Sequence, residues 1–191
     1  MAEADQVRWD ERYAAAPAPD DPALPEHFAP FADRFIDAAT AIDIACGAGR
    51  ASVWLAVRGG TVTGYDISPV AVASARALAE RFGVSDRCTF EIADFDSGLP
   101  AGPQVDLVLC NMFRNRTLDE PAMERLNPNG TLAVAALSQV GADPQASKKY
   151  RVRSGELAAA FSRLKQLGHH EGNGIAWFVG AHHASGPVVR G

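Results

Sequence analysis

The stretch Ala41-Ile42-Asp43-Ile44-Ala45-Cys46-Gly47-Ala48-Gly49-Arg50 leaves this chain few folds to choose from. An apolar run carrying one carboxylate breaks into a turn with two glycines, and an apolar helical pattern from Ala51 to Val57 follows at once. That is a strand, a tight turn and a helix N-terminus. Glycine at 47 and 49 permits positive φ and lets a ligand approach the backbone without meeting a Cβ, while the helix start offers free N–H groups and a positive dipole end. A nucleotide-like ligand with an anionic end suits such a turn.

The turn alone does not fix the ligand, because Ser52 stands at the third position of the dinucleotide pattern G-x-G-x-x-G. Its continuation narrows the choice. Thr61 to Asp66 reads as a second strand ending on an acid, about 20 residues beyond the first glycine, the spacing at which a carboxylate reaches ribose hydroxyls. A third strand, Cys88 to Asp94, also ends on an acid. Strand 4 spans Val105 to Met112 and is apolar on both faces, as a central parallel strand should be. A short helix from about Glu120 to Leu126, the Asn129-Gly130 turn and strand 5, Thr131 to Leu137, follow.

Helical spacing marks four further segments. Trp9 and Tyr13 share a face of a helix over Gln6 to Ala14, and Phe28, Phe31 and Phe35 form a stripe over Pro25 to Ala38. Pro17 to Pro25, between them, is a loop. Ser68 as N-cap and Pro69 at the first helical position open a helix that Gly83 ends. Ser154 caps another, carrying Leu157, Phe161 and Leu164, and a hairpin over Lys165 to Glu171 and Gly174 to His182 closes the chain. The reading is one α/β domain over residues 1–191, a doubly wound sheet of about seven strands, with N-terminal helices over 1–40 and a flexible tail at 183–191.

Composition bounds the partners. At 191 residues the chain fits one domain, and 47% hydrophobic with 21% charged residues is ordinary for a globular protein. A net charge of −5 argues against a surface built to neutralise phosphates, so no nucleic acid is expected and a small-molecule substrate is. No run approaches the roughly 18 apolar residues of a membrane span, and the acidic start Met1 to Gln6 is neither a secretory signal nor a transit peptide. Three cysteines, an odd number in expected strands, point to a reducing cytoplasm. The five histidines show no metal spacing and no triad, so no metal is expected and none is assigned as a base.

The residues resemble class I S-adenosylmethionine-dependent methyltransferases. The likeness runs through the Asp-x-Ala-Cys-Gly-x-Gly-Arg turn, Asp66-Ile67-Ser68-Pro69, Ala93-Asp94-Phe95, Val105 to Asn111 and Leu126 to Gly130, and it is greatest to the compact branch with the tellurite-resistance and thiopurine enzymes. That resemblance, with the closing hairpin, implies a Rossmann-like sheet, mostly parallel with an antiparallel last strand. It implies S-adenosylmethionine as cofactor. The turn Ala45, Cys46, Gly47, Gly49 and Arg50 would hold the methionine part, Asp66 the ribose diol, Ile67 one face of adenine, and Asp94 with the Phe95 amide its edge. Asp43 would touch the amino-acid ammonium indirectly or orient the turn. Trp9, Arg12 and Tyr13 lie in a segment that either closes over the cofactor or simply docks as a helix.

Methyl transfer from a sulfonium is an in-line displacement, so a protein helps chiefly by alignment and exclusion of water. Asn111 ends strand 4 where the methyl should lie, Arg114 just beyond it is placed to hold an acceptor, and Tyr150 lies on a loop overhanging the same crevice. Asn111 is followed by Met112-Phe113, not by the Pro-Pro-aromatic of adenine and glutamine methylases, which disfavours those acceptors. A monomer or homodimer is expected. Competing readings are a non-catalytic binding or regulatory protein of the same fold and a nicotinamide-dependent oxidoreductase, which Ser52 and the acid ending strand 3 disfavour.

Overall fold

The computed structural model describes residues 2–143, 145, 147 and 150–182. The tail expected at 183–191, with Lys148 and Lys149 of the polar loop, lies outside them. Strands β1 (Thr40–Ile44), β2 (Thr61–Asp66), β3 (Cys88–Ile92), β4 (Val105–Asn111), β5 (Leu126–Leu137), β6 (Lys165–Gly172) and β7 (Ile175–Ala181) form one sheet in the order β3-β2-β1-β4-β5-β7-β6. The first five pair in parallel, and β7 runs antiparallel to both its neighbours. The expected Rossmann-like sheet is present, and its order reverses between β1 and β4.

Among the described residues, six α-helices flank the sheet: α1 (Ala2–Ala15), α2 (Ala32–Ile36), α3 (Arg50–Val57), α4 (Pro69–Arg81), α5 (Asp119–Glu124) and α6 (Glu156–Ala160). Alternate residues of a strand face opposite sides, and the core divides accordingly. Ile42, Ile44, Val108, Leu132 and Val134 pack with Met123 of α5, Leu157 of α6 and Phe161, while Ala41, Leu107, Leu109 and Ala133 pack with Phe28, Phe35 and Leu55. Phe28 and Phe35 are fully buried. Each such ring stabilises the fold by roughly 1.5–3 kcal/mol. The Ser68 hydroxyl accepts from the Ala71 N–H (3.1 Å) at the start of α4, with Pro69 next to it.

Several boundaries differ from the expectation, each for a local reason. The helix expected over 25–38 is a 3-10 segment, Glu26–Phe31, followed by the short α2, because Pro30 lacks an N–H and crowds an α-helical turn. Ser154 does not cap α6. Gly155 does, at φ 71°, and the Ser154 hydroxyl donates to Glu171 (3.0 Å). β5 begins at Leu126 and absorbs the Asn129-Gly130 turn as an irregularity opposite β4, with Asn129 at φ 67°. β1 stops at Ile44, leaving Ala45 and Cys46 in the turn.

Candidate functional site

A large cavity, about 1260 Å³, opens beyond the carboxyl ends of β1, β2 and β4, where an open α/β sheet places its ligand site. Ala45, past β1, and Met112, past β4, have φ of 57° and 58°. An L-residue in this region is held there at a cost of about 1–2 kcal/mol, which non-glycine, non-Asn residues rarely bear. The two strained positions flank the point where the strand order reverses. Gly47 and Gly49 continue the left-handed geometry, at 55° and 76°.

Asp66, at the tip of β2, shapes the turn. One carboxylate oxygen accepts from the Gly47 N–H (2.8 Å) and the other from the Ser68 N–H (2.9 Å). Each oxygen keeps a second lone pair, so a ribose diol is a fitting partner. Asp43 shares the buried face of Ala41 and takes the Ser52 hydroxyl at 2.6 Å. Burial, with the nearby charge of Asp66, pushes its carboxyl up to about 7 despite that hydrogen bond. Asp66 is likewise raised by burial and, more weakly, by Asp10.

All but one of the expected site residues line this cavity. The exception is Gly49. A Cβ there would lie 2.6 Å from the Ala75 Cβ, so Gly49 is needed for α3 to pack on α4. Gly47 lies under Tyr13, whose hydroxyl is 2.5 Å from where a Cβ would stand. Burial raises the Tyr13 hydroxyl to about 12. Trp9 and Tyr13 share a face of α1, with ring centroids 5.9 Å apart, and Arg12 lies 5.1 Å over Trp9. Helix α1 is anchored through Asp10, which accepts from the Ser68 hydroxyl and, at 3.5 Å, from the Val70 N–H.

The Arg50 Nε donates to the Asp21 carbonyl (2.9 Å), fastening the Pro-rich loop to the cofactor turn. Ile67 lines the cavity beside it, and the Cys46 thiol is pushed up by burial. Asp94 accepts from the Asp96 N–H (2.9 Å) and opens a 3-10 turn, Phe95–Ser97; the Phe95 ring lies 5.5 Å from Phe113.

On the opposite wall, Arg114 is bound rather than free. Its guanidinium pairs with both oxygens of Asp119 and donates through Nε to Glu156 at 3.2 Å, and its side chain is 7% exposed. It braces the turn after β4 against α6 instead of standing open for an acceptor. Tyr150 lies at the mouth, where Arg8 donates to its hydroxyl (3.3 Å) and stacks 5.3 Å over its ring. Arg151 is turned away, held by the carbonyls of Ser138 (2.8 Å) and Gly174 (3.3 Å). Arg8 and Asp10 join the site through residues far along the chain, Tyr150 and Ser68, although Arg8 also pairs with Asp5 one turn before it, and no local pattern marks either contact.

Among the described residues no His, Cys, Asp and Glu group is arranged to hold a metal, the cysteines are unpaired, and no helix is long and apolar enough to cross a membrane. The cradle of positive-φ residues, the strand-tip acids and the cavity size all fit S-adenosylmethionine.

Residues 36–170 match the family described as a methyltransferase domain. Among curated proteins, the ribosomal protein L11 methyltransferase of Dechloromonas aromatica is 36% identical over 104 residues, 53% of this chain and 33% of that protein. The ubiquinone biosynthesis O-methyltransferase of Methylobacterium nodulans is 32% identical over 109 residues, 54% of this chain and 43% of its own. The chain thus spans less than half the length of these relatives. Among solved structures, TehB from Haemophilus influenzae superposes with a TM-score of 0.73 at 16% identity, over 93% of this chain and 66% of that one. A SAM-dependent methyltransferase from Geobacter sulfurreducens in complex with S-adenosylhomocysteine does so at 0.69 and 17% identity, over 91% and 96%. With its glycine turn, strand-tip acids and reversed sheet order, the chain belongs to the methyltransferase-domain family and has the fold of TehB.

Proposed function

We propose that the protein transfers a methyl group to a small molecule. The observation that carries this reading is the cavity: at about 1260 Å³ it exceeds the roughly 300–1000 Å³ that encloses a drug-sized ligand, leaving room for a small acceptor beside the cofactor. Helix α1 and the loop bearing Tyr150 narrow its mouth through the Arg8 contact, and the net charge of −5 repels an rRNA phosphate backbone but not a small solute. The ribosomal enzymes among the relatives match over about half of this chain, too little to assign their acceptors to it.

Bound S-adenosylmethionine supplies an electrophilic methyl on sulfur. Around it, the backbone of Ala45, Cys46 and Gly47 would cradle the amino-acid end, with Asp43 beneath orienting the turn. Asp66 would take the ribose hydroxyls, while Ile67, Asp94 and Phe95 would frame the base. Trp9, Arg12 and Tyr13 would close α1 over the site as a lid and exclude water, and Arg50 would hold the Pro-rich loop in place behind them. Asn111 and Tyr150 would face the acceptor. The unpaired thiols fit a cytoplasmic protein.

Calorimetry with S-adenosylhomocysteine and with NAD tests the cofactor half. Binding of the former alone is expected, and Asp66→Ala should weaken it ten- to a hundredfold, the size of about 1.5–3 kcal/mol lost with a charged acceptor. Equal binding by the variant would remove Asp66 from the site. For the acceptor, tritiated methyl donor incubated with cell extract should label the acid-soluble fraction; label only in precipitated macromolecules would defeat the small-molecule reading.

A further inference from the structure

Met112 holds an apolar side chain at the cavity wall on a strained backbone. It follows β4 directly, its φ of 58° lies in the left-handed region, and its N–H donates to the Ala135 carbonyl of β5 at 2.7 Å. Its neighbours are fixed elsewhere. Asn111 continues the pairing of β4 with Ala135, the Cys110 thiol donates to the Phe113 carbonyl (3.5 Å), and the Phe113 ring packs on Phe95. Strain of this kind persists only where the surroundings over-determine it, and it gathers at ligand-binding positions. Among the described residues seven large apolar side chains stand exposed, and of these only Met112, at 41%, and Tyr150, at 47%, line the cavity.

The strand order says which ligand Met112 meets. The glycine turn follows β1, Asp66 ends β2 and Asp94 follows β3, so a cofactor held by them fills the crevice beyond those three strands. In the order β3-β2-β1-β4-β5, the tips of β4 and β5 are left for the acceptor. Beside Met112 that half is lined by Ala136 and Leu137, at the end of β5, both apolar. Its guanidinium groups already have carboxylate partners: Arg114 holds Asp119 and Glu156, Arg116 holds Glu156 (2.7 Å), and Arg8 holds Asp5 (3.0 Å). An anion entering here would have to displace a carboxylate from its guanidinium, and Glu26 adds one more carboxylate to the lining. Burying an ion without a partner is far costlier than burying an apolar group.

The geometry points to Met112 as the side chain against which the methyl acceptor packs, and to an acceptor with an apolar body, such as an aromatic ring, and no anionic group. The thioether is polarisable and makes favourable contacts with ring edges, which suits that body. This rests on the methyltransferase reading above and deepens it by naming the chemical class of acceptor.

The chain has three methionines, Met1, Met112 and Met123, so isotope labelling of the methionine methyls gives an NMR spectrum in which the Met112 signal is the one that Met112→Gly lacks. Naphthol and naphthoate share a ring system and differ in charge near neutral pH. Added to protein saturated with S-adenosylhomocysteine, naphthol should shift the Met112 methyl saturably through its ring current and leave Met123, 3% exposed, in place. Naphthoate should bind at least about tenfold more weakly, as an anion without a partner does. An unmoved Met112 signal, or naphthoate binding as tightly as naphthol, would overturn the proposal. Met112→Gly supplies a second arm, because glycine adopts a positive φ without strain. Its melting point should be no lower than the parent's and its S-adenosylhomocysteine affinity within about twofold, while its naphthol affinity drops about three- to tenfold with the lost apolar contact. A lower melting point with unchanged naphthol affinity would make Met112 structural and overturn the proposal. Failure of the parent to bind S-adenosylhomocysteine while naphthol still shifts Met112 would break the methyltransferase reading and the acceptor with it, a result distinct from an unmoved signal.

Discussion

Where the cavity meets β1 and β2, its polar groups are backbone N–H groups and carboxylates fixed within one strand-helix-strand unit, Thr40 to Asp66. Across the crevice the wall is made of side chains, Arg8, Asn111, Arg114 and Tyr150, brought together from three separate stretches. The first half depends on backbone dihedrals, which almost any change of residue disturbs. The second depends on pairings such as Arg8 with Tyr150 or Arg114 with Asp119 and Glu156, which can be exchanged one at a time.

The sharpest way to break the comparison is at Gly49. Gly49→Val forces a β-branched residue to φ 76° and drives its Cβ into Ala75, so a loss of about 3–4 kcal/mol is expected, seen as a melting point lower by about 6 to 12 °C. Parental melting would mean that the cofactor half is not set by its backbone.

Arg114→Met comes next. It leaves Asp119 and Glu156, 18% and 15% exposed, without the guanidinium between them, although Glu156 keeps Arg116. The expected cost is about 2–3 kcal/mol in urea unfolding, at the low end for a buried pair because both acids reach some solvent, with cofactor affinity unchanged. Normal stability with a raised acceptor KM would return Arg114 to the acceptor.

The smallest effect separates the halves by charge. Asp43 has its folded value raised from 3.8 to about 7, so the folded protein holds a proton that the unfolded chain releases. That contribution is complete below the unfolded value and is lost as pH rises through about 7. The parental melting point should therefore fall further between pH 5 and 8 than that of Asp43→Asn. Parallel curves would show that Asp43 does not carry the buried charge.

Much of the first half was legible in the chain itself. Strand alternation, Ser68-Pro69 at a helix start and the two glycines are short-range signals, and the structure has the seven strands and the α4 cap they point to. Element ends were less so. Pro30 turned one expected helix into a 3-10 segment and a short helix, and Gly155 took the cap that Ser154 was expected to supply, because Ser154 found Glu171 across the hairpin.

The sequence by itself determined the doubly wound sheet, the turn at residues 45–49 and the acid at the tip of β2, since each follows from periodicity or from dihedrals that only certain residues adopt. Only the tertiary structure decided that Gly49 serves packing on α4, that Arg114 is bound by two carboxylates, and that Arg8 reaches Tyr150. Those outcomes depend on which distant side chains the folded sheet brings within a few ångströms of one another, and no local pattern encodes such a distance.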